Sequence, residues 1–238
     1  MQAKLNNQIP MIPVPAFEEL TIVVAANNNN PATFTPDFLK YSGIISTDWE
    51  LAEPALLNSH LAQITFTNGI NLSAQFDNIT FSESLEAKAL EDVKIPAIAR
   101  KYIETLPNTD YQGVEINPSS FFTFEDEDEG GVRNYIVTTL LSPGAWHEFG
   151  SKPVTATLQL AYTLKQRQFN LKIDDVRLRR PDNTPQSAVL FSGNFPYKIT
   201  GDTTLERLQH LYGLIDNWQG DLKTYRELVN QRFLGISA

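Results

Sequence analysis

"LAQITFTNGINLSAQFDNITF", residues 61–81, alternates apolar and polar side chains on both sides of Asn68-Gly69. Ala62, Ile64 and Phe66 share one parity before the dipeptide; Ile70, Leu72, Ala74 and Phe76 share one after it. Period-two alternation marks a half-buried strand, and Asn-Gly supplies the positive φ angles of a type I′ turn. The stretch therefore predicts an antiparallel hairpin with one face on a core. Past Phe76 the parity flips to Ile79 and Phe81, with Asp77-Asn78 at the change. One extra residue would restore the face, which predicts a β-bulge at that pair.

The same pattern recurs in "FNLKIDDVRLRR", residues 169–180. Phe169, Leu171 and Ile173 precede Asp174-Asp175, and Val176 and Leu178 follow on the opposite parity. Asp174 lies 97 residues after Asp77, and the preceding strands correspond at about the same offset, "AQITF" with "LQLAYTL". This predicts a duplication, with pseudo-repeats over about residues 18–125 and 130–238, each a bulged hairpin with a packed helix.

Around these hairpins, "LTIVVAA" (20–26) reads as a buried strand closed by "NNNNP". Thr35-Pro36 caps and opens a helical turn. Residues 93–107 carry Ile98, Tyr102, Ile103 and Leu106 at helical spacing. In 131–142, Val132, Tyr135, Ile136 and Leu140 fit a helical stripe, although the β-branched content also suits a strand. The sharp stop at Ser142-Pro143-Gly144 favours a helix. Residues 187–199, "SAVLFSGNFPYKI", read as a strand that Gly193 and Pro196 bend or place at an edge. Thr203 and Glu206 form a capping box for the last helix. Its stripe of Leu205, Leu208, Tyr212, Ile215 and Trp218 resumes past Gly220 as Leu222, Tyr225, Val229 and Phe233. A kink at Gly220 that carries the second set onto the first-half sheet is expected. The fold class is α+β. An extended arm over 1–17, rich in proline, precedes a single domain over 18–238 that ends in a long helix.

The 238 residues are 42% hydrophobic and 20% charged, enough for a sizeable core without staples. Without a cysteine the chain has no disulfide, thiolate ligand or thiol nucleophile. It has no apolar run of signal-peptide or membrane-span length, so a cytoplasmic protein that contacts no membrane is expected. A net charge of −9 disfavours broad contact with nucleic acid.

Candidate chemistry is sparse. "FEDEDEGG" (124–131) places five acids at 125–129, but an EF-hand register on Asp126 puts Gly130 and Val137 at the fifth and twelfth ligand places. The run reads as a solvated loop, with no metal. His60, His147 and His210 are too far apart for a metal pair. His147 beside Glu148 is a candidate general base, though "PGAWHEFG" reads better as a connector. No catalytic, cofactor-binding or metal residues are assigned, and no cofactor is expected. Lys165, Arg167, Lys172, Arg177, Arg179 and Arg180 cluster within sixteen residues. Arg177 and Arg179 fall on one face of a strand and read as a charged edge or self-interface. Tyr41, Trp49 and Trp146 sit in irregular segments suited to a groove or interface. These five, Tyr41, Trp49, Trp146, Arg177 and Arg179, are the candidate interaction residues.

"PDFLKYSGIISTDWEL" (36–51), "RNYIVTTLLSPGAWHEFG" (133–150) and "VLFSGNFPYKI" (189–199) resemble segments of an uncharacterised family of cyanobacterial proteins. The resemblance implies a bacterial intracellular protein and carries over no catalytic residues. A hairpin-rich sheet backed by long helices is similar, at the level of fold alone, to SecB-type chaperones. The expected function is non-enzymatic binding of a protein or peptide, by a homodimer. The alternative is a hydrolase-like enzyme whose carboxylates converge from distant segments.

Overall fold

The computed structural model of the protein describes residues 13–124, 131–151, 153–165, 167–179 and 182–236. The strands are β1 (Pro13–Asn27), β2 (Leu56–Leu57), β3 (Ala62–Thr65), β4 (Ile70–Ala74), β5 (Asn78–Ser84), β6 (Asp110–Phe124), β7 (Leu158–Thr163), β8 (Gln168–Arg179) and β9 (Pro185–Lys198). They form one sheet in the order β2-β3-β4-β5-β1-β6-β9-β8-β7, and every pairing is antiparallel. The helices are α1 (Pro36–Tyr41), α2 (Ile95–Thr105), α3 (Gly131–Asn134), α4 (Thr204–Asp216) and α5 (Trp218–Arg226). Wider π turns, Tyr135–Leu140 and Glu227–Phe233, continue α3 and α5. The fold is α+β, with a long, broken helix at the C-terminal end. Among the described residues, no helix is long and apolar enough to cross a membrane.

The sheet has one apolar and one polar face, as period-two alternation requires. Leu20, Ile22 and Val24 of β1 and Val114 and Ile116 of β6 are buried. On the other face Thr21 and Ser82 share a hydrogen bond of 2.8 Å between their hydroxyls. Helix α2 packs over β1 and β5, and α4 and α5 over β6. Residues 13–17, expected in the N-terminal arm, begin β1 and pair with the far end of β6. Residues 131–142 are helical, as the stop at Ser142 favoured.

The β3–β4 hairpin stands where the sequence put it, with a different turn. The Phe66 amide donates to the Ile70 carbonyl at 2.9 Å, and that of Gly69 to Phe66 at 3.1 Å. Gly69 has φ +82, whereas Asn68 does not have a positive φ. This is a three-residue loop ending in a left-handed glycine, not a two-residue type I′ turn. Phe76, expected on the core face, is half exposed against His60.

Neither acidic pair is a bulge. Asp77 lies in the turn between β4 and β5, where the Gln75 amide donates to the Asn78 carbonyl at 2.8 Å. Asp174 and Asp175 lie inside β8 and face Leu190 and Val189 in unbroken register. There the apolar side chains change face while the backbone runs straight. The register shifts that do occur are between β1 and β6: Ala16 is the extra residue in β1, and Gln112, opposite Ala25 and Ala26, is the extra residue in β6.

Strand β9 is not at an edge; it runs between β6 and β8, and its pairing with β6 lapses at Gly193 and Asn194. Gly193 is there for contact. A Cβ on it would sit 2.8 Å from the Tyr225 ring and 3.1 Å from that of Phe169. Gly193→Ala should therefore destabilise by about 1–3 kcal/mol, read as a lower urea midpoint at constant slope. An unchanged midpoint would mean that the α5 ring is free to move off the strand.

The C-terminal helix breaks at Asn217, not at Gly220, and the Gly220 amide donates back to the Asn217 carbonyl at 2.9 Å. Past that break α5 packs over β6, so the second apolar set does reach the first-half sheet, although without a kink at Gly220. Tyr225 donates its hydroxyl to the Phe191 carbonyl of β9 at 2.9 Å, and α5 reaches β1 through the Arg226–Glu18 ion pair, at 2.9 and 2.5 Å. Helix α4 instead meets α2, through Arg100–Asp216 at 2.7 Å and Arg100 stacked over Tyr212.

Candidate functional site: an open strand edge and a cationic groove

The two edges of the sheet are finished differently. On the β3 side the chain closes its own edge. Thr67 donates its amide to Glu50 at 3.0 Å, Ala52 donates to Thr65 at 2.9 Å, and Leu56 and Leu57 pair with Gln63 and Ala62. At the other edge, β7 pairs with β8 alone. The Leu164 amide donates to the Arg167 carbonyl at 2.9 Å, which sets the phase of that ladder. Alternate residues of an antiparallel strand bond to the same neighbour. Leu158, Leu160 and Tyr162 thus bond to β8, and the N–H and C=O groups of Gln159, Ala161 and Thr163 point outward. Those three residues are exposed, and no described segment pairs with them. The strand "LQLAYT" has no charge, proline or bulge, the devices that usually blunt an edge. Leu158, Leu160 and Tyr162 are half-buried, with the Tyr162 ring stacked on Phe169 and its phenol pushed up by burial.

Strand β7 ends at the rim of a groove of about 1850 Å³. Its walls include the β7–β8 turn (Lys165, Arg167), the sheet ends (Glu115, Lys198) and the inner side of α4 and α5 (His210, Thr224). Asp221 of α5, fully buried, holds this corner together. It accepts from the Arg167 guanidinium, and from the Tyr197 hydroxyl at 2.8 and 2.9 Å to its two oxygens. Arg167 also donates to the Thr224 hydroxyl at 2.8 Å and lies over the Phe195 ring. Burial pushes the Asp221 carboxyl up against the opposing pull of Tyr197 and Arg167. Burial, then the neighbouring carboxylate, pushes the Tyr197 phenol up to about 12. With its partners in place this carboxylate clasps the β7–β8 turn to α5.

Other inward carboxylates are also engaged. Glu83 of β5 is fully buried and accepts from Lys88 Nζ at 2.8 Å and from the amides of Lys94 and Ile95 at 2.7 and 3.0 Å, capping α2. Among the described residues, no group of three or more His, Asp or Glu side chains could hold a metal ion. The acidic run at 125–129 lies outside the described residues.

The five predicted interaction residues do not converge. Tyr41 is 86% exposed at the end of α1. Trp49 instead packs edge-on against Phe66, with Lys94 over its ring. Trp146 is partly exposed and stacks on His147, whose Nε2 lies 3.3 Å from the Val137 carbonyl; His147 thus ties the connector to the π turn after α3. Arg177 and Arg179 are exposed on β8 beyond the last residue that β7 covers. Six strand spacings separate β3, near Trp49, from β8, about 29 Å. Sequence reasoning missed the β7 edge, Lys198, His210 and the Asp221 clasp. Two signals were present: a strand without charge, and an aspartate on the same helical stripe as Trp218, Leu222 and Tyr225.

No protein-family model and no curated protein sequence matches the chain.

Proposed function

We propose that this is a non-enzymatic binding protein that takes an extended polypeptide segment as an added strand on β7. The observation that carries the reading is the contrast between the edges. The chain fills its β3 edge with its own extended residues 50–57, and leaves β7 with outward backbone groups and an uncharged face. Main-chain hydrogen bonds would supply affinity in such a mode, and alternate side chains specificity.

An internal duplication strengthens the comparison. In this reading β6, which the expected bounds of 18–125 and 130–238 put in the first repeat, opens the second, as β1 opens the first. In each half a long strand precedes a three-strand meander whose last strand returns beside it, and a helix follows. In this reading β3 and β7 are equivalent edges, one filled and one vacant. The second hairpin is longer, so Asp174 falls mid-strand where its counterpart Asp77 falls in a turn.

A second copy of the chain is one occupant that suits the edge. Two-fold antiparallel pairing centred on Leu160 sets Leu158 opposite Tyr162 and Leu160 opposite itself. All apolar side chains stay on the helix side, and no like charges meet.

Ala161→Pro tests the reading. It removes an outward N–H and spares the β8 ladder, as proline on an edge strand can. Binding of strand-forming peptides, and any dimer seen by sedimentation, should weaken about tenfold or more with little change in thermal stability. Undiminished binding by the folded variant would refute strand addition at β7.

A further inference from the structure

We infer that the segment received at β7 belongs to another protein and is acidic just before its added strand, with its carboxylates in the groove against Lys165, Lys198 and His210; a second copy of this chain, with "SKPVTAT" (151–157) ahead of its β7, lacks those acids. This inference rests on the strand-addition reading. An antiparallel ligand enters at the Thr163 end of β7 with its N-terminal side, where the chain passes into the groove. The charged residues described there are Lys165, Arg167, Lys198 and Glu115, a positive balance inside a chain of net charge −9. Arg167 is committed to Asp221 and Thr224. Lys165 and Lys198 have no ion-pair partner among the described residues. Glu115 shares a face of the sheet with Lys198, but its carboxylate is already engaged, accepting from the Asn194 side chain at 3.0 Å and from that of Asn117 at 3.4 Å. The amide of Thr200 donates to His210 Nδ1 at 2.9 Å, so the neutral ring carries its proton on Nε2 and keeps one donor for a ligand. The groove thus offers two ammonium groups and an imidazole N–H, a set that recognises carboxylates.

The filled edge offers an internal model of such a ligand. Its occupant runs antiparallel to β3, pairs Leu51 with Phe66, and carries Asp48 and Glu50 at its N-terminal side. The equivalent place beside β7 is next to Lys165, in the turn that follows the strand.

Two fluorescent peptides separate the claims: one has three glutamates followed by an alternating Thr-Val strand, and the other has glutamines in their place. With the intact protein at low salt, the acidic peptide should bind about five- to tenfold more tightly, the worth of two partly exposed ion pairs. The advantage should vanish in Lys165→Gln/Lys198→Gln and shrink with added salt, while the glutamine peptide keeps its affinity throughout. Equal affinity of the two peptides for the intact protein would overturn this inference and leave strand addition standing. An acidic preference that survives the double substitution would place the contact elsewhere and also overturn it. Binding of neither peptide would count against strand addition itself, and against this inference with it.

Discussion

A chain ending at Gly220 is expected to unfold or aggregate. The missing residues 221–238 include Leu222, Tyr225 and Val229, each at most 1% exposed. Losing one such side chain costs about 2–5 kcal/mol, and a domain has only about 5–15 kcal/mol in all. The truncation also removes Asp221 from Arg167 and Tyr197, and Arg226 from Glu18. Phe191 and Phe195, now buried, would face water on a sheet that already has one open edge. Circular dichroism and size-exclusion chromatography would read the outcome. A soluble, cooperatively folding monomer would show that this segment serves association and not the core.

The elements most legible in the sequence are those fixed by local chemistry. The Thr203–Glu206 capping box forms, with the Glu206 amide donating to the Thr203 hydroxyl at 3.2 Å and the Thr203 amide to the Glu206 carboxylate at 3.1 Å. Thr35 caps α1 in the same way, accepting from the Phe38 amide at 3.1 Å. Parity flips were harder, because alternation reports only which side is apolar. A hairpin turn at Asp77, a change of buried face at Asp174 and a true bulge at Gln112 can all produce irregular alternation, and only strand pairing distinguishes them. The site was less legible still. An open edge is a property of strand order, and the sequence does not say that segment 50–57 returns to β3 while nothing described returns to β7. Asp221 was the exception in principle. It follows Trp218 by three residues and precedes Tyr225 by four, so helical geometry alone places it on the buried side.

Removing that carboxylate by Asp221→Ala should cost about 3–5 kcal/mol, because it leaves the partly buried Arg167 guanidinium and the Tyr197 hydroxyl without their acceptor. The damage should centre on the β7–β8 turn, since Arg167 anchors that turn to α5. Hydrogen exchange should therefore quicken there more than in α2, which Glu83 caps independently. Asp221→Asn separates shape from charge. It keeps an acceptor for Tyr197 at almost the same volume, so its cost should be smaller. Its pH dependence has a definite sign. Burial raises the Asp221 carboxyl above its unfolded value, so the folded protein holds this proton the more tightly. Wild-type stability from this group is then complete below the unfolded carboxylate value, and falls as pH rises from there through the folded value. The asparagine variant has nothing to titrate at this position, so its deficit relative to wild type should narrow across that window. Urea melts of both proteins across the acidic range would measure it. A deficit that instead widened with pH would mean that Arg167 and Tyr197 outweigh burial, and that the clasp is a net source of electrostatic stability.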